Sequence, residues 1–276
     1  MSASEPGANR MITKSIYESV RCARHNLLHL KFFRLGYSAA RGRWTCRYGN
    51  HSWELSHYPY LDFHDIEGYL FEGRLMPRPG MTVIDAGGCR GEYALFASTL
   101  VGPKGLVVMV EPDSANVAAA QRLFELNGNP PNIRVYQGGL WDRPGVVEFA
   151  GGLGDECAIV ETASASQWVD RSVVSKTTIP VHSLQSLAEE FGLRSLDLVK
   201  MDVEGAEIRV IQGLADLGKQ YRPAFAIASY HMVDGAQTAP QLERLFATYG
   251  YGCVTGNPRH LTTYAWPEST AQDGRR

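Results

Sequence analysis

The sequence predicts an α/β fold with a mostly parallel, Rossmann-like sheet and helices on both of its faces. From Met81 onward, short apolar segments alternate with longer segments of helical periodicity, which is typical of parallel sheets. The first apolar segment ends at Asp85 and is followed by a glycine-rich turn. The length of 276 residues allows a full hydrophobic core in one or two domains.

The predicted elements follow this alternation in chain order. Strands are expected near 82–85, 106–110, 133–137, 196–201, 224–229 and 252–255. Helices are expected near 92–100, 114–126, 184–191, 206–212 and 239–249. The interval 145–181 departs from the alternation, with three short β-type segments around a glycine-rich loop at 151–156. We interpret it as a β insertion beside the carboxyl ends of the parallel strands, where it would act as a lid or substrate loop.

Composition divides the chain into four segments. Residues 1–12 and 268–276 are small and polar, and we expect disordered tails there. Residues 13–78 form an N-terminal helical arm with a hairpin cap. The α/β domain occupies 79–267 and contains the insertion at about 145–181.

The N-terminal arm begins with a basic helical region. Between Ser15 and Leu35, apolar residues recur at helical spacing, which predicts one or two amphipathic helices. Residues 1–47 contain nine Lys or Arg residues and two acids. This asymmetry fits a phosphate-bearing substrate, RNA or an anionic membrane, but we favour a solvated basic face on a helix that docks on the core.

A hairpin and an aromatic segment follow in the arm. Residues 43–48 and 51–55 flank the turn Gly49-Asn50 and predict a β-hairpin. The aromatic segment at 57–64 precedes a helix expected near 66–75. Two interpretations of this segment stay open: it lines a substrate mouth, or it packs the arm over the sheet.

Composition also argues against several classes of protein. The net charge of -2 gives no global field for nucleic acid or membrane. The five cysteines are odd in number and lack a Cys-x-x-Cys pair, which argues against a disulfide framework and a zinc site. No apolar stretch reaches the roughly 18 residues that a membrane span needs, and the N-terminus lacks a secretory pattern. We therefore expect a soluble, cytoplasmic protein.

The turn after the first strand has the pattern of a nucleotide-binding βαβ unit. Asp85, Gly87 and Gly91 form Asp-x-Gly-x-x-x-Gly, whereas a dinucleotide site prefers Gly-x-Gly-x-x-Gly. The second strand ends at Glu111, an acid suited to a ribose diol. The pattern predicts an S-adenosylmethionine site. The alternative is a Rossmann-like turn whose glycines serve only helix packing.

A second group of polar residues follows the strand near 196–201. Asp202 and Glu204 emerge directly after this apolar run, and in extended geometry they would share a face toward the cofactor cleft. Clustered acids need a cation, a substrate hydroxyl or backbone donors as partners. The alternative for Glu204 is that it caps the helix expected from Ala206.

The next strand ends in Tyr230 and His231, and His231 is our candidate general base. An imidazole with a pKa near 6.5 can take a proton from a hydroxyl, and Asp202 or Glu204 would orient it. A hydrogen-bonded structural histidine is the competing interpretation. His182 begins a helix, so we expect it to act in capping or packing.

Four segments within about 60–256 together resemble the FkbM family of S-adenosylmethionine-dependent methyltransferases. They lie at 83–93, 100–105, 110–113 and 200–207. The last, Lys-Met-Asp-Val-Glu-Gly-Ala-Glu, is the most specific. The resemblance implies a class I methyltransferase fold and O-methylation of a hydroxyl on a natural product, sugar or related small molecule.

The resemblance also implies roles for individual residues. Asp85, Gly87 and Gly91 would hold the methionine end of the donor, and Glu111 its ribose. The chain departs from the family pattern at two places, where Gly87-Gly88-Cys89 replaces a common Gly-Ala-Asn and His182 replaces a common Asp. We expect the first change to remove one polar contact to the donor.

The predicted reaction is direct in-line methyl transfer to a substrate oxygen, in which positioning dominates. His231, with Asp202 and Glu204, would assist as catalytic residues. A divalent cation is not favoured, because two acids without a third ligand make an incomplete site. We expect a small-molecule hydroxyl acceptor and no nucleic-acid partner. The alternatives are an RNA or protein methyltransferase that uses the basic arm, a dinucleotide-dependent oxidoreductase, and a non-catalytic Rossmann-like binding protein.

Overall fold

The chain forms two compact units. This computed structural model describes residues 5–71, 74–151, 157–163, 175–214, 217 and 220–268. The first unit comprises Met1–Glu67 with Arg122–Asn129, and the second comprises Gly68–Gln121 with Pro130–Arg276. The first unit thus ends before the arm boundary expected at residue 78 and includes a short segment from later in the chain.

The first unit is a helix and a three-stranded antiparallel sheet. Its elements are α1 (Glu5–Leu28), β1 (Arg34–Ser38), β2 (Arg43–Tyr48) and β3 (His51–Leu55), and the strands lie in the order β1-β2-β3. The predicted β2–β3 hairpin is confirmed. Helix α1 begins at Glu5, so residues 5–12, which we assigned to a disordered tail, form its first turns. Residues 1–4 and 269–276 lie outside the described part.

The aromatic segment forms a helix of its own, α2 (Tyr60–Tyr69). The helix predicted near 66–75 is therefore wrong in position. Pro59 explains the earlier start, because its carbonyl accepts the first helical hydrogen bond from Phe63 at 3.2 Å. The Phe63 ring is buried, and its centroid lies 4.9 Å from that of Phe33. Phe63 of the aromatic segment therefore belongs to the hydrophobic core of the first unit.

Two polar side chains tie the first unit together. The Glu67 carboxylate accepts the backbone N–H groups of Lys31, Phe32 and Phe33 at 2.6–3.1 Å. The Asn127 amide donates to the Glu54 carbonyl and accepts the Glu54 N–H, both at 2.9 Å. This pairing explains why residues 122–129 belong to the first unit.

The second unit contains a seven-stranded sheet within the described residues. Its strands are β4 (Thr82–Ala86), β5 (Leu106–Val110), β6 (Ile133–Tyr136), β11 (Leu198–Met201), β12 (Ala224–Ala228), β15 (Tyr251–Gly256) and β16 (Thr262–Pro267). The order is β15-β16-β12-β11-β4-β5-β6, and only β16 runs antiparallel to its neighbours. Six strands match the prediction. Strand β16 was missed because it follows β15 without an intervening helix.

Helices alternate with the parallel strands. They are α3 (Glu92–Val101), α4 (Ser114–Leu126), α6 (Leu184–Glu190), α7 (Glu207–Gln212) and α8 (Ala239–Thr248). One core cluster packs α6, α7 and α8 against a single sheet face, with Leu187, Ile211 and Phe246 beside Val199 and Phe225. The chain order reverses between β4 and β11, and open α/β sheets bind ligands at such a reversal.

The predicted insertion is a separate small sheet. It contains β7 (Gly139–Leu140), β8 (Gly145–Gly151), β9 (Ala158–Ile159), α5 (Val160–Ala163) and β10 (Ser175–His182), with strand order β7-β10-β8-β9. Strands β8, β9 and β10 pair antiparallel, as expected. The Cys157 thiol donates to Asp113, which follows β5, at 3.6 Å. The insertion thus reaches the carboxyl end of the sheet. Most of its glycine-rich loop, 152–156, lies outside the described residues.

Two expectations from composition concern disulfide bonds and membrane-spanning helices. All five cysteines lie in the described part, and none of them forms a disulfide bond. No helix among the described residues combines the length and the apolar character that crossing a membrane requires.

Candidate active site

An ion pair joins the carboxyl ends of β4 and β11. Strand register places Lys200 beside Asp85, and the Lys200 Nζ lies 3.0 Å from Asp85 Oδ1. The same amine donates to the Gly87 carbonyl at 2.7 Å. Burial alone lowers the pKa of Lys200, but the charges of Asp85 and Asp202 outweigh it and raise the pKa. Lys200 therefore stays charged and holds the glycine turn against β11.

Sequence reasoning gave Lys200 no role. The available signal was a charged residue in the middle of an apolar strand, Leu198-Val-Lys-Met201. Such a residue is almost never buried unless it is paired. Asp85 is fully buried, so direct contact with a ligand would require the site to rearrange.

The glycine turn depends on missing side chains. Gly87 has a φ of 68°, and a Cβ there would lie 1.6 Å from the Asp202 carbonyl oxygen. The Asp202 N–H donates to the Ala86 carbonyl at 2.9 Å, which fixes this close approach. Gly91 has a φ of 88° and is the N-cap of α3. Both glycines are required by the turn itself.

Glu111 lies at the end of β5 and is held by the turn after β4. One carboxylate oxygen accepts the Cys89 N–H at 2.8 Å. The other accepts the Asp113 N–H at 2.9 Å and the Asn116 side-chain amide at 3.3 Å. Burial raises the pKa of Glu111 to about 7, although these three donors lower it. The oxygen that accepts only the Cys89 N–H keeps one acceptor site, which a ribose hydroxyl could use.

Four ionisable side chains form a cluster after β11, which we call the acid–imidazole cluster: Asp202, Glu204, Glu207 and His231. The His231 Nε2 lies 3.5 Å from Asp202 Oδ1 and 3.3 Å from Glu204 Oε2. Its Nδ1 lies 2.9 Å from Glu207 Oε1. The three catalytic residues predicted from sequence therefore come together in the fold. Glu207 is a fourth member that sequence reasoning missed.

Charges in the cluster oppose the effect of burial. Burial alone lowers the pKa of His231, but Glu207, Glu204 and Asp202 raise it well above 6.5. Burial raises the pKa of Glu204. Burial also raises the pKa of Asp202, but His231, Lys200 and His260 outweigh it and lower the pKa. These shifts favour the carboxylate form of Asp202 and the protonated form of His231.

Two tyrosines also hold Asp202. The Tyr69 hydroxyl donates to Asp202 Oδ2 at 2.7 Å, and the Tyr230 hydroxyl donates to the same oxygen at 3.4 Å. The Asp202 side chain nevertheless keeps 22% of its surface exposed. It is therefore oriented without being enclosed.

The reason we gave for pairing Asp202 with Glu204 is wrong. The two residues do not share the face of an extended strand, because Glu204 has a φ of 52° and Gly205 a φ of 98°. A turn after β11 brings Glu204 to His231. Helix α7 has no side-chain cap at Ala206. Instead, Glu207 Oε1 accepts the N–H groups of Val203 at 3.1 Å and Gly205 at 3.3 Å.

A hairpin fixes His231 on its other side. Strands β13 (Met232–Val233) and β14 (Ala236–Gln237) flank Asp234-Gly235, whose φ values of 50° and 78° suit a tight β-hairpin. The Thr238 N–H donates to the His231 carbonyl at 3.0 Å. This bond fixes the backbone of His231 at the base of the hairpin, while its imidazole contacts the residues after β11.

The cluster also has the spacing of a metal site. Asp202, Glu207 and His231 offer ligand atoms that all lie within 4.8 Å of one another. The group shares only Asp202 with the pair considered from sequence, Asp202 and Glu204, and it adds Glu207 and His231. The positive charge of a protonated His231 also compensates the negative charges of these carboxylates. Their clustering therefore does not by itself require a metal ion.

The comparisons with known proteins agree with this geometry. The sequence model described as the methyltransferase FkbM domain matches residues 85–253, more than half of the chain. The chain belongs to the FkbM methyltransferase family. A solved FkbM methyltransferase from Methylobacillus flagellatus KT is similar, with a TM-score of 0.50 and 18% identity, covering 72% of this chain and 46% of that one. The class I methyltransferase fold predicted from sequence is confirmed.

Two curated proteins resemble this FkbM-family chain. "Methyltransferase 1" of Beauveria bassiana is 28% identical over 147 residues, covering 49% of this chain and 58% of that protein. The "2-O-methyltransferase NoeI" of Sinorhizobium fredii is 31% identical over 150 residues, covering 50% of this chain and 59% of that protein. The chain matches a little over half the length of these relatives.

The two departures from the FkbM pattern have structural consequences. Cys89, in place of a common Asn, has a φ of 45° and gives its backbone N–H to Glu111. His182, in place of a common Asp, contacts Ser186 at 2.9 Å and Glu190 at 2.7 Å. Ser183 caps α6 instead, through a capping box with Ser186. The helix therefore keeps its cap one residue later.

Proposed function

We propose that this FkbM-family chain is an S-adenosylmethionine-dependent methyltransferase that methylates a hydroxyl oxygen of a small molecule, sugar or natural product. The observation that carries the proposal is the acid–imidazole cluster directly beside the glycine turn. Asp202 belongs to the cluster, and its carbonyl oxygen lies where a Gly87 Cβ would be. Acceptor and donor would therefore meet at the reversal between β4 and β11.

The donor fits the first part of this site. The turn at Gly87 and Gly91 presents backbone without side chains, and α3 begins directly after it. We propose that Glu111 accepts a ribose hydroxyl, because the oxygen that binds only the Cys89 N–H has one acceptor site left. Since Asp85 is fully buried, we propose that it positions the turn through Lys200.

The bound donor supplies an electrophilic methyl group to the attacking hydroxyl oxygen. The chain's contribution is to orient that hydroxyl and to take its proton. We propose the neutral form of His231 as the proton acceptor, through Nε2. The Asp202 and Glu204 carboxylates lie 3.5 Å and 3.3 Å from this nitrogen and stabilise the imidazolium that forms. Holding the reactants in line can supply roughly 7 to 11 kcal/mol of the barrier.

Glu207 completes this proposal as a positioning residue. It is fully buried and faces His231 Nδ1, so it keeps that nitrogen protonated and leaves Nε2 for the substrate. The same carboxylate stabilises the imidazolium that forms on proton transfer. The role is analogous to the carboxylate that orients histidine in a catalytic triad.

The curated relative NoeI is named a 2-O-methyltransferase, which supports a sugar-like hydroxyl as the acceptor. The alternative acceptors are RNA and protein, approached through the basic arm. Binding to RNA would weaken steeply with added salt, whereas binding of an uncharged sugar would not. A divalent cation in the cluster would make turnover sensitive to a chelator, and adding the ion back would restore it.

We propose a cytoplasmic location for the reaction, since the five described cysteines are free thiols.

Calorimetric titration with S-adenosylmethionine, S-adenosylhomocysteine and NAD tests the donor assignment. We expect saturable binding of the first two and none of NAD. Binding of NAD alone would contradict the methyltransferase assignment. No detectable binding of any of the three would support a non-catalytic Rossmann-like protein. The acceptor is then sought by transfer of labelled methyl groups to hydroxylated sugars, with total RNA and protein as parallel acceptors.

A further inference from the structure

Helix α1 exposes its apolar face. Five large apolar side chains on it are 57–84% exposed: Ile16, Tyr17, Val20, Leu27 and Leu28. Between residues 13 and 28, the side chains that α1 buries are those of Glu18 and Cys22. We expected the apolar residues of this region to dock on the core and the basic ones to face solvent. For α1 that expectation is wrong.

The exposed residues form one continuous stripe. Ile16, Val20 and Leu27 are spaced four and seven residues apart, so they lie on the same side of the helix. Tyr17 and Leu28 lie next to them. Such a stripe is far larger than scattered exposed apolar residues, and a contiguous apolar face marks an interaction surface.

The charges around the stripe are all positive. Arg24 lies within the stripe and is exposed, and Lys14 is exposed beside it. Arg21 is half-buried, with its guanidinium 3.5 Å from the centre of the Tyr58 ring. The one acid between residues 13 and 28, Glu18, is buried and accepts a hydrogen bond from the Trp44 indole at 3.2 Å. The solvent-facing side of this part of α1 therefore carries no negative charge.

We propose that α1 lies in the plane of an anionic membrane surface, with its apolar stripe among the acyl chains and its basic side chains on lipid phosphates. Helices of this type combine an apolar face with Lys and Arg at the edges. Arg24 reaches the phosphates by extending its long side chain to the interface. The attraction adds to apolar burial, so both components contribute to affinity.

Other occupants fit the same face less well. A second copy docking through residues 13–28 of α1 would bury Arg24 opposite a segment whose one acid, Glu18, is already buried, and an unpaired buried charge is costly. RNA would use the basic residues but gain nothing from Ile16, Val20 and Leu27, since these side chains neither stack on bases nor bind phosphate. An anionic bilayer uses both components.

Flotation of the full chain with phosphatidylcholine vesicles, prepared with and without phosphatidylserine, tests the proposal. We expect binding to the anionic vesicles that weakens with added salt. Replacing Val20 and Leu27 together with serine should lower the partition coefficient by about tenfold or more, because two exposed apolar side chains are lost. Arg24→Gln should lower it by about fivefold, on anionic vesicles only.

A matched control removes an equally exposed apolar side chain elsewhere. Val146→Ser changes a residue that is 69% exposed in β8, and vesicle binding should not change. Equal loss in this control, or no binding to anionic vesicles, would overturn the proposal. Concentration-dependent dimerisation abolished by the Val20 and Leu27 substitutions would assign the face to a second copy. RNA binding that depends on Arg24 but not on Val20 would assign it to nucleic acid. Donor affinity, measured in the same variants, keeps this test separate from the methyltransferase assignment.

Discussion

Asp85 and Asp202 end neighbouring strands, yet their surroundings differ. Asp85 is fully buried and faces Lys200 from the adjacent strand at 3.0 Å. Asp202 keeps 22% of its side chain exposed and is held by Tyr69, Tyr230 and His231. The charge of the first faces a buried cation, whereas the second keeps part of its surface accessible, as the role that we propose for it requires. We therefore expect changes around Asp85 to affect stability, and changes around Asp202 to affect turnover.

Removing the cation beside Asp85 should have the largest effect on stability. Lys200→Met leaves Asp85 buried without its partner, and breaking such a pair typically costs about 3–5 kcal/mol. Chemical denaturation of variant and wild type measures the loss. The exposed Lys104→Met is the matched control and should change the free energy of unfolding little.

The double variant Lys200→Met with Asp85→Leu sharpens this test. It removes both charges, so much of the stability lost in Lys200→Met should return. Stability that stays low in the double variant would show that Lys200 acts mainly through the Gly87 carbonyl, which it also binds at 2.7 Å.

Changing His231 should leave the fold in place and slow the reaction. His231→Gln removes the proposed proton acceptor, and loss of a general base typically lowers kcat by about 10²–10⁴-fold. Affinity for S-adenosylhomocysteine should stay within about twofold of wild type, since the proposed donor residues are unchanged. The control His182→Gln lies outside the cluster. Full activity in His231→Gln would remove the base assignment.

The alternation of apolar and amphipathic segments was sufficient to predict most of the second unit. Helix α4 matches its predicted bounds, Ser114–Leu126, and six of the seven strands were placed. Elements outside the alternation failed. Strand β16 follows β15 directly, and β1 (Arg34–Ser38) was not predicted and begins in the last two residues of the segment that we interpreted as helical. Formation of such strands depends on cross-strand packing, which local periodicity does not report.

Within the site, sequence reasoning found the residues that directly follow strands. The carboxylates of Asp202 and Glu204 each lie within 3.5 Å of the His231 imidazole. Lys200 and Glu207 were missed because their roles depend on strand register and on the turn before α7. A local pattern marks where polar groups emerge, whereas their partners are set by tertiary packing.

Glu111 offers a test of the donor side by proton linkage. Its pKa of about 7, raised by burial from 4.5, means that the folded state binds the proton more tightly than the unfolded state. This contribution to stability is fully present below pH 4.5 and is lost as pH rises through about 7. Glu111→Gln has no such loss. The difference in free energy of unfolding, variant minus wild type, should therefore grow by about 2–3 kcal/mol between pH 5 and pH 8.

Two measurements accompany the Glu111 variant. The exposed Glu148→Gln should show no comparable growth with pH. Donor affinity should fall in Glu111→Gln, because the proposed ribose acceptor loses its charge. A pH-independent difference in stability would mean that Glu111 remains ionised throughout, and unchanged donor affinity would remove the ribose assignment.

The smallest expected effect is a shift in the pH dependence of kcat/KM when Glu207 is changed. His231 acts as a base only when neutral, so kcat/KM should rise with pH through a pKa above 6.5. Asp202, Glu204 and Glu207 raise the pKa of His231, and Glu207 contributes the most. Glu207→Gln should therefore move the rise to lower pH. Its amide oxygen still accepts the N–H groups of the preceding turn.

Glu204→Gln is the matched comparison, because it also removes one carboxylate beside His231. Its shift should have the same direction and be smaller than that of Glu207→Gln, as the distances of 3.3 Å and 2.9 Å to the imidazole nitrogens predict. Titration of the His231 imidazole by NMR in the protein alone measures both shifts without turnover. If the NMR pKa moves and the rate profile does not, Glu207 sets the charge of a structural histidine. The base must then be sought at Asp202 or Glu204, whose carboxylates are 22% and 25% exposed.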